Sequence, residues 1–284
     1  MMATPPDSPL LPDVVARLRA AGCVFAEEEA QLLLAAAAEA SASQTSDPGD
    51  PAGATSALDA LVRRRAEGEP LEYVLGWARF CGLRVEVDPG VFVPRPRTEF
   101  LVECAAEAGR EASVIVDLCC GTGALGAALT ERLGAAGSRA VELHAADIDP
   151  AAVRCAARNI ARFGGRTYQG DLFDALPEAL RGRIDILLAN TPYVPTDDIP
   201  FLPSEARDHE ARVALDGGAD GLAVMRRVAA EAHRWLAPGG VVLVETSEQQ
   251  RDAALAEFAA GGLDATTESS EEFWATVVLG RRSR

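Results

Sequence analysis

The sequence predicts an α/β protein whose doubly wound, mostly parallel sheet has seven strands. From residue 98 onward, short apolar runs alternate with helix-length segments, which is typical of a parallel sheet with helices on both faces. The last two apolar runs follow each other without a helix, so they predict an antiparallel hairpin at the end of the sheet. The predicted strands cover residues 113–118, 141–147, 166–169, 184–189, 240–245, 263–268 and 273–280.

The N-terminal residues 1–76 predict a small separate domain made of helices. Apolar residues between Leu11 and Ala40 recur at helical spacing, and further helical segments follow before residue 76. Residues 41–55 contain two prolines and no large apolar side chain, which predicts a flexible loop inside this domain.

A β-hairpin over residues 77–97 is predicted to link the helical domain to the α/β domain, which occupies 98–284. The residues from Phe80 to Val93 alternate between apolar and polar side chains, as two short strands do. Asp88-Pro89-Gly90 is predicted as the turn between them.

Composition limits the possible functions. The chain has 284 residues, 48% of them hydrophobic, and can bury one large core and a smaller one. Its formal net charge is −16, which disfavours a nucleic-acid groove because phosphate binding needs a clustered positive surface. All 27 basic residues are arginine, so a lysine Schiff base or a catalytic lysine is excluded.

The cysteines and the hydropathy predict a soluble, cytoplasmic protein without a metal site. No run of 18 apolar residues predicts a membrane-spanning helix, and no signal sequence is recognisable at the N-terminus. The six cysteines lack the spacing of metal ligands and are predicted to be free thiols in a reducing compartment. They are Cys23, Cys81, Cys104, Cys119, Cys120 and Cys155.

A glycine-containing turn follows the first predicted strand of the sheet. This turn, Asp117-Leu-Cys-Cys-Gly-Thr-Gly123, lies where a parallel sheet binds ligands, beyond the carboxyl ends of its strands. Gly121 and Gly123 allow the backbone to approach a ligand closely. Such a turn suits a nucleotide-like cofactor, although alone it is also compatible with a simple tight turn.

Acidic residues follow the next two predicted strands. Asp147 ends the second strand, 24 residues after Gly123, where a carboxylate can accept hydrogen bonds from both ribose hydroxyls. The alternative is that Asp147 and Asp149 only cap the following helix. Asp171 follows the third strand and can accept from an adenine amino group, while Leu172 packs on the ring. The candidate cofactor-binding residues are Asp117, Cys119, Cys120, Gly121, Thr122, Gly123, Asp147, Asp171, Leu172 and Asn190.

The segment Asn190-Thr191-Pro192-Tyr193, here called the acceptor box, follows the fourth predicted strand. The Asn190 side-chain oxygen and the carbonyl of Thr191 can hold a planar NH2 group, and Tyr193 offers a flat wall beside it. Thr191 precedes a proline, which favours an extended backbone that directs its carbonyl outward. An amide or aromatic amine is a weak nucleophile, so catalysis by orientation and electrostatics is predicted. Asn190, Thr191, Pro192 and Tyr193 are the candidate catalytic residues. With the turn, they indicate methyl transfer from S-adenosylmethionine to nitrogen.

Several motifs resemble the protein-(glutamine-N5) methyltransferases of the HemK/PrmC type, which modify peptide chain release factors. The resemblance implies a class I S-adenosylmethionine-dependent methyltransferase, Rossmann-like in fold, with the cofactor contacting the residues named above. It also implies that the acceptor box holds the substrate glutamine and that the helical domain docks the protein substrate. The motifs are residues 68–76, 80–82, 93–99, 117–123, 190–193, 215–222 and 236–240.

The sequence also departs from the pattern of that family. Thr191 replaces the first proline of the family's Asn-Pro-Pro-Tyr box, Cys119 replaces the first glycine of the turn, and Arg97 replaces an acid. The arginine usual near the last strand is replaced in the run from Phe273 to Val278. These differences predict a divergent paralogue, whose acceptor can differ from that of the family.

Three hypotheses follow. The first is S-adenosylmethionine-dependent methylation of a glutamine in a protein, with a peptide chain release factor as candidate partner and S-adenosylhomocysteine as product. The second is methylation of adenine N6 in nucleic acid, with Tyr193 stacked on a flipped base, which the acidic composition disfavours. The third is a degenerate, non-catalytic methyltransferase fold, for which Cys119 and Thr191 are the reasons.

Overall fold

A computed structural model describes residues 8–44, 51–136 and 141–284 of the chain. Within these residues the helices are α1 Leu11–Ala20, α2 Ala26–Gln44, α3 Pro51–Ala66, α4 Leu71–Leu75, α5 Glu99–Ala108, α6 Ala124–Ala136, α7 Pro150–Ile160, α8 Ser204–His209, α9 Ala223–Trp235 and α10 Arg251–Ala260. The strands are β1 Trp77–Phe80, β2 Leu83–Glu86, β3 Val114–Leu118, β4 Glu142–Asp147, β5 Arg166–Gln169, β6 Ile184–Ala189, β7 Leu236–Thr246, β8 Asp264–Ser270 and β9 Ala275–Arg281.

The chain divides into two compact units. One contains the residues up to Trp77 together with Pro203–His209, and the other contains Ala78–Leu202 and Glu210–Arg284. Helix α8 belongs to the helical unit, although in the sequence it follows the acceptor box, within the α/β part of the chain. The sequence pattern did not predict this.

A small apolar core and one buried charge cluster hold the helical unit together. Val14, Leu18, Leu33 and Val62, from α1, α2 and α3, are almost fully buried in one cluster. Beside it, the Arg65 guanidinium donates to both carboxylate oxygens of Glu29 and pairs with Glu205 of α8 at 2.7 Å. Bidentate pairing satisfies most of the donors of a buried arginine, which is why the cluster is tolerated there.

The loop predicted over residues 41–55 is wrong at both of its ends. Residues 41–44 belong to α2, and residues 51–55 belong to α3, while 45–50 lie outside the described residues. The reason is local: alanine and serine extend α2, and Pro51 occupies the first position of α3, where a proline is well tolerated.

The hairpin predicted between the two domains exists, but its turn is not the predicted one. Strands β1 and β2 form a two-stranded sheet and are joined by Cys81-Gly82. Both residues have positive φ, 47° and 75°, as a tight two-residue hairpin turn requires. Asp88-Pro89-Gly90 instead lies after β2, and the sequence misled because cysteine rarely takes this conformation.

The sheet of the larger unit confirms the predicted fold. Its strand order is β5-β4-β3-β6-β7-β9-β8, and β9 runs antiparallel to the other six strands. All five residues of the central strand β3 are buried, because helices cover both faces. Leu101, Leu129 and Ile160 pack on one face, and Val228 and Phe258 pack on the other.

Candidate active site

The sheet reverses its winding direction at β3. This strand pairs with β4 on one side and with β6 on the other, so the connections leave in opposite directions and open a crevice at the carboxyl ends. The turn after β3, Asp147 at the end of β4 and the acceptor box after β6 therefore meet at one edge, as predicted.

The turn after β3 is built by two glycines with positive φ. Gly121 has φ 51° and Gly123 has φ 74°. A Cβ at Gly123 would lie 3.1 Å from the Cβ of Ala156 and from Cγ2 of Ile160, so this glycine also lets the turn pack closely on α7. The backbone NH of Cys120 donates to the carbonyl of Ala146 at 3.1 Å, which ties the turn to β4.

Cys119 has φ 52°, a left-handed conformation that glycine adopts without cost. We expect Cys119→Gly to raise the free energy of unfolding by about 0.5–1 kcal/mol, because relief of this strain exceeds the entropic cost of a glycine. Urea unfolding measures the change. The matched control is Cys120→Gly, since Cys120 is buried and has no positive φ; we expect this variant to be less stable than the wild type. Loss of stability in Cys119→Gly would contradict the prediction.

Asp147 holds the turn as well as ending β4. Its Oδ2 accepts from the NH of Gly121, and its Oδ1 accepts from the NH of Asp149, both at 2.9 Å. Asp149 is the residue that caps α7, through the NH of Ala151 at 2.7 Å. Burial raises the pKa of Asp147, and these backbone NH groups oppose that rise. The capping alternative is thus true of Asp149, whereas Asp147 connects the two strand ends.

Asp117 lies near the end of β3, as predicted, with its carboxyl group buried in the fold. Its side chain is 0% exposed, and its Oδ2 accepts from the NH of Gly126 in α6 at 2.9 Å. A Cβ at Gly126 would lie 3.2 Å from Asp117 Oδ2, so the glycine makes room for the carboxyl group. The Asp117 carboxyl group supports α6 from inside the fold, and its contact with the cofactor stays a prediction.

The buried Asp117 carboxyl predicts a pH dependence of stability. Burial raises the pKa of Asp117 from 3.8 to about 8. In the folded state the carboxyl group therefore keeps its proton over most of the pH range between these two values. Stability therefore falls as the pH rises from about 4 to 8, by up to about 1.4 kcal/mol per pH unit. In Asp117→Asn, which remains neutral, this contribution is absent. Urea unfolding between pH 5 and 8 measures the free energy of unfolding of both proteins. As the pH rises, the variant should become more stable relative to the wild type. Parallel plots of this free energy against pH would contradict the prediction.

Asp171 and Leu172 follow β5. Asp171 Oδ2 accepts from Arg227 of α9 at 2.8 Å, an ion pair in which both side chains are about half exposed. Leu172 is 8% exposed and has φ 48°, an outlier for a bulky side chain. Backbone strain of this kind concentrates at ligand sites. The sequence analysis missed Arg227, which orients the Asp171 carboxylate.

The acceptor box has two buried polar side-chain atoms that lack a partner among the described residues. Asn190 is partly exposed, but its Oδ1 is buried and makes no hydrogen bond with the described residues. Thr191 is 2% exposed, and its hydroxyl is also buried, without a hydrogen-bond partner among the described residues. A buried acceptor left unpaired costs free energy. An NH2 group brought by a ligand would satisfy Asn190 Oδ1.

The glycine-rich segment Leu215–Leu222 supports the backbone that follows the box. The NH of Val194 donates to Leu215 O at 3.1 Å, and the NH of Gly217 donates to Val194 O at 2.8 Å. A Cβ at Gly217 would lie 2.6 Å from the carbonyl oxygen of Pro192. Only glycine permits the Pro192 carbonyl to lie this close to the backbone of residue 217. This explains why the motif has a glycine at that position.

Gln250 holds the carbonyl of Tyr193, and Gly221 leaves room for it. The Gln250 Nε2 donates to Tyr193 O at 3.0 Å and to Asp220 O at 2.9 Å. A Cβ at Gly221, which has φ 77°, would overlap both Tyr193 O and Gln250 Nε2. The sequence analysis did not predict these supporting roles; the spacing of Gly217 and Gly221 was the available signal.

Tyr193 also belongs to a charged cluster that joins the box to the end of β7. Arg97 donates through Nε to Glu245 Oε1 at 3.0 Å and through a terminal nitrogen to the Tyr193 hydroxyl. Burial raises the pKa of Tyr193 to about 12, so its hydroxyl stays protonated. The Glu245 side chain is 4% exposed, and its Oε2 is buried without a hydrogen bond to the described residues. Glu245 was missed because a single acid at a strand end carries no distinctive pattern.

The segment that carries Arg97 is fixed by a second buried acid. Glu210 Oε1 accepts from the NH of Val93 at 3.1 Å and from Arg95 at 2.6 Å, and its side chain is 1% exposed. Glu210 therefore orders the Pro-Arg-Pro-Arg motif instead of being a solvated charge.

Comparison with known proteins identifies the family. The model of the PrmC N-terminal domain matches residues 10–76, and that of the methyltransferase small domain matches 82–201. A release factor glutamine methyltransferase of Geobacter sulfurreducens is 39% identical over 204 residues, 71% of this chain and 69% of that protein. The chain belongs to the release factor glutamine methyltransferase family. It is thus a methyltransferase, as predicted.

One further relative and one solved structure are also similar to this chain. The 4-amino-L-phenylalanine/4-methylamino-L-phenylalanine methyltransferase of Streptomyces pristinaespiralis is 39% identical over 208 residues, 71% of this chain and 69% of that protein. A crystal structure of a methyltransferase from Pyrococcus furiosus covers 72% of this chain and 90% of its own, with 17% identity and a TM-score of 0.50. This structural likeness shows the S-adenosylmethionine-dependent methyltransferase fold.

Among the residues that the structure describes, no group of three or more histidine, cysteine, aspartate or glutamate side chains could hold a metal ion. Within the same described residues, no helix is both long and apolar enough to span a membrane.

Proposed function

We propose that this protein methylates the side-chain nitrogen (N5) of a glutamine in a protein, with a peptide chain release factor as the acceptor. The observation that carries the proposal is the buried, unpaired Oδ1 of Asn190, in a box that follows β6 of a methyltransferase sheet. The named relatives supply the acceptor. Release factors act in the cytoplasm, where we place the reaction.

The residues at this edge fit S-adenosylmethionine, which supplies a methyl group on a positively charged sulfur. The turn at Gly121 and Gly123 presents backbone without side chains, and Asp147 directs a carboxylate to the same edge. Each Asp147 oxygen accepts one backbone NH and keeps a lone pair for a ribose hydroxyl. Asp171 is assigned to the adenine amino group and Leu172 to the ring face.

The acceptor box orients a weak nucleophile. Asn190 Oδ1 and the carbonyl of Thr191 accept the two N–H bonds of the glutamine amide, which fixes the plane of that group and leaves its face open to the methyl donor. The C–S bond breaks as the C–N bond forms, the products are S-adenosylhomocysteine and the methylated amide, and one amide proton leaves to solvent. Fixing the reacting atoms in line provides most of the acceleration.

The surrounding residues keep the box rigid. Gln250 donates to the backbone carbonyl of Tyr193, and Arg97 and Glu245 bond to its hydroxyl, so both the backbone and the ring of this residue are held. A fixed aromatic wall restricts rotation of the amide plane. This arrangement compensates for Thr191, which lacks the ring of a proline and its preorganisation.

Intact-mass spectrometry of a class I release factor with a Gly-Gly-Gln loop tests the proposal. After incubation with the enzyme and S-adenosylmethionine, the expected result is a gain of one methyl group on that glutamine, absent with Asn190→Ala. No gain, with cofactor binding shown in parallel by calorimetry, would overturn the assignment of the acceptor. No cofactor binding would favour the degenerate fold.

A second candidate acceptor is the aromatic amine of a free amino acid. The relative from Streptomyces pristinaespiralis is as similar to this chain as the first release factor enzyme, and its name gives 4-amino-L-phenylalanine as its substrate. An aromatic amine presents the same planar NH2 to Asn190. Incubation with 4-amino-L-phenylalanine in place of the release factor distinguishes the two, since methylation of only the small molecule would favour this candidate.

A further inference from the structure

The turn between β8 and β9 extends the sheet edge that carries the acceptor box. Strand β9 runs antiparallel to β7, and Thr276 pairs with Thr246, the last residue of β7. Residues 271–274 therefore lie beyond the carboxyl end of β7. The turn and the acceptor box thus lie at the same edge of the sheet.

Trp274 in this turn is unusual in two respects. It is 88% exposed, the highest fraction among the exposed large hydrophobic side chains of the described residues. It also has φ 51°, a conformation that glycine or asparagine adopts more readily than a bulky aromatic residue. Neither feature stabilises the free protein. Strained backbone that presents a side chain to solvent indicates a function at that position.

The neighbouring residue anchors the turn to the segment that contacts the box. The ring of Phe273 stacks on Phe100 of α5, with ring centroids 5.9 Å apart and an interplanar angle of 22°. Phe100 follows Arg97, which bonds to Tyr193 and Glu245, by three residues. The NH of Phe273 also donates to the Ser270 hydroxyl at 3.3 Å. Trp274 is thus held in position by its neighbour while its own ring stays free.

The charge around Trp274 indicates the chemistry of what it contacts. Glu271 and Glu272, in the same turn, are both exposed, and the chain as a whole carries a net charge of −16. An aromatic face beside two carboxylates suits an arginine or lysine side chain, which gains both a cation–π contact and charge pairing.

We propose that Trp274, with Glu271 and Glu272, docks the acceptor protein by binding a basic side chain close to the glutamine that is methylated. This inference rests on the proposed function, because it names the surface on which the protein acceptor sits. Tryptophan is the residue type that contributes most often to binding at such contacts.

Steady-state methylation of the intact release factor tests the docking surface. We expect Trp274→Ala to raise KM about 10- to 30-fold, with kcat reduced by less than about threefold, and Trp274→Phe to restore most of the affinity. The double variant Glu271→Gln/Glu272→Gln should raise KM and weaken its dependence on salt. The matched control, Glu131→Gln/Glu178→Gln, also removes two exposed carboxylates and should leave both constants unchanged.

The outcomes separate this inference from the function on which it rests. A wild-type enzyme that methylates the release factor, with the same KM in Trp274→Ala, overturns the docking surface and leaves the function standing. A wild-type enzyme that methylates no release factor overturns both. Sedimentation completes the test: a wild-type dimer that Trp274→Ala converts to a monomer, with unchanged KM, would show that a second copy of the chain covers Trp274, and would also overturn the inference.

Discussion

Asn190→Ala should lower the rate of methyl transfer by at least about 100- to 1,000-fold, the range found when one oriented hydrogen-bonding group is removed from an active site. The alanine leaves the Thr191 carbonyl alone to hold the acceptor amide, so the nitrogen is no longer fixed in line with the methyl group. Single-turnover transfer to the release factor measures the loss.

The Asn190→Ala variant should keep its fold and its cofactor. Its Oδ1 makes no hydrogen bond with the described residues, so the substitution breaks no internal contact of that atom, and we expect the free energy of unfolding to change by less than about 1 kcal/mol. Calorimetry with S-adenosylmethionine is the control for cofactor binding. Tyr193→Phe is the matched variant, because it keeps the aromatic wall and should cost less activity. Near wild-type transfer by Asn190→Ala would contradict the assigned role.

Gly221→Ala should both destabilise the protein and disable the acceptor box. The added Cβ would overlap the carbonyl oxygen of Tyr193 and the Nε2 of Gln250, and the φ of 77° is itself unfavourable for alanine. Backbone strain and overpacking each cost about 1–3 kcal/mol, so a loss of about 2–6 kcal/mol in the free energy of unfolding is expected. Urea unfolding measures it, and methyl transfer at a temperature where the variant is folded measures the displacement of Tyr193.

Gly134→Ala and Gly182→Ala are the controls for this variant. A Cβ at either position meets no atom within 4 Å. Gly134 lies in α6, where alanine is the better helix former, so Gly134→Ala should be about 1 kcal/mol more stable than the wild type. Gly182 has φ 73°, so Gly182→Ala measures the cost of the backbone conformation alone. If Gly221→Ala were no less stable than Gly182→Ala, the close contact with Tyr193 would not be the reason that residue 221 is a glycine.

One network of side chains at the acceptor box joins distant parts of the chain. Arg97 precedes α5, Tyr193 follows β6 and Glu245 ends β7, yet the three side chains bond to one another. Their assembly depends on β7 lying next to β6, and on the α5 segment packing against the same edge. No local pattern in the sequence contains this information.

The sequence by itself determined the architecture and the location of the site. Alternating strands and helices fixed the mostly parallel sheet, whose seven strands and antiparallel β9 are confirmed. Ligand-binding turns in such sheets lie at the carboxyl ends of strands, so the turn after β3 and the box after β6 could be placed from their positions alone. These features are local, since hydrophobic periodicity and glycine or proline positions act within a few residues.

Tertiary structure alone decided which side chains face the site and which support it. Asp117 belongs to the same motif as Gly121, yet its carboxyl group is buried against Gly126, because side chains alternate along a strand and its neighbours cover it. The Cys81-Gly82 turn was likewise decided by strand pairing, which imposes positive φ on a cysteine. Burial and pairing are set by residues far away in the chain, and this is the physical reason that the sequence pattern could not reveal them.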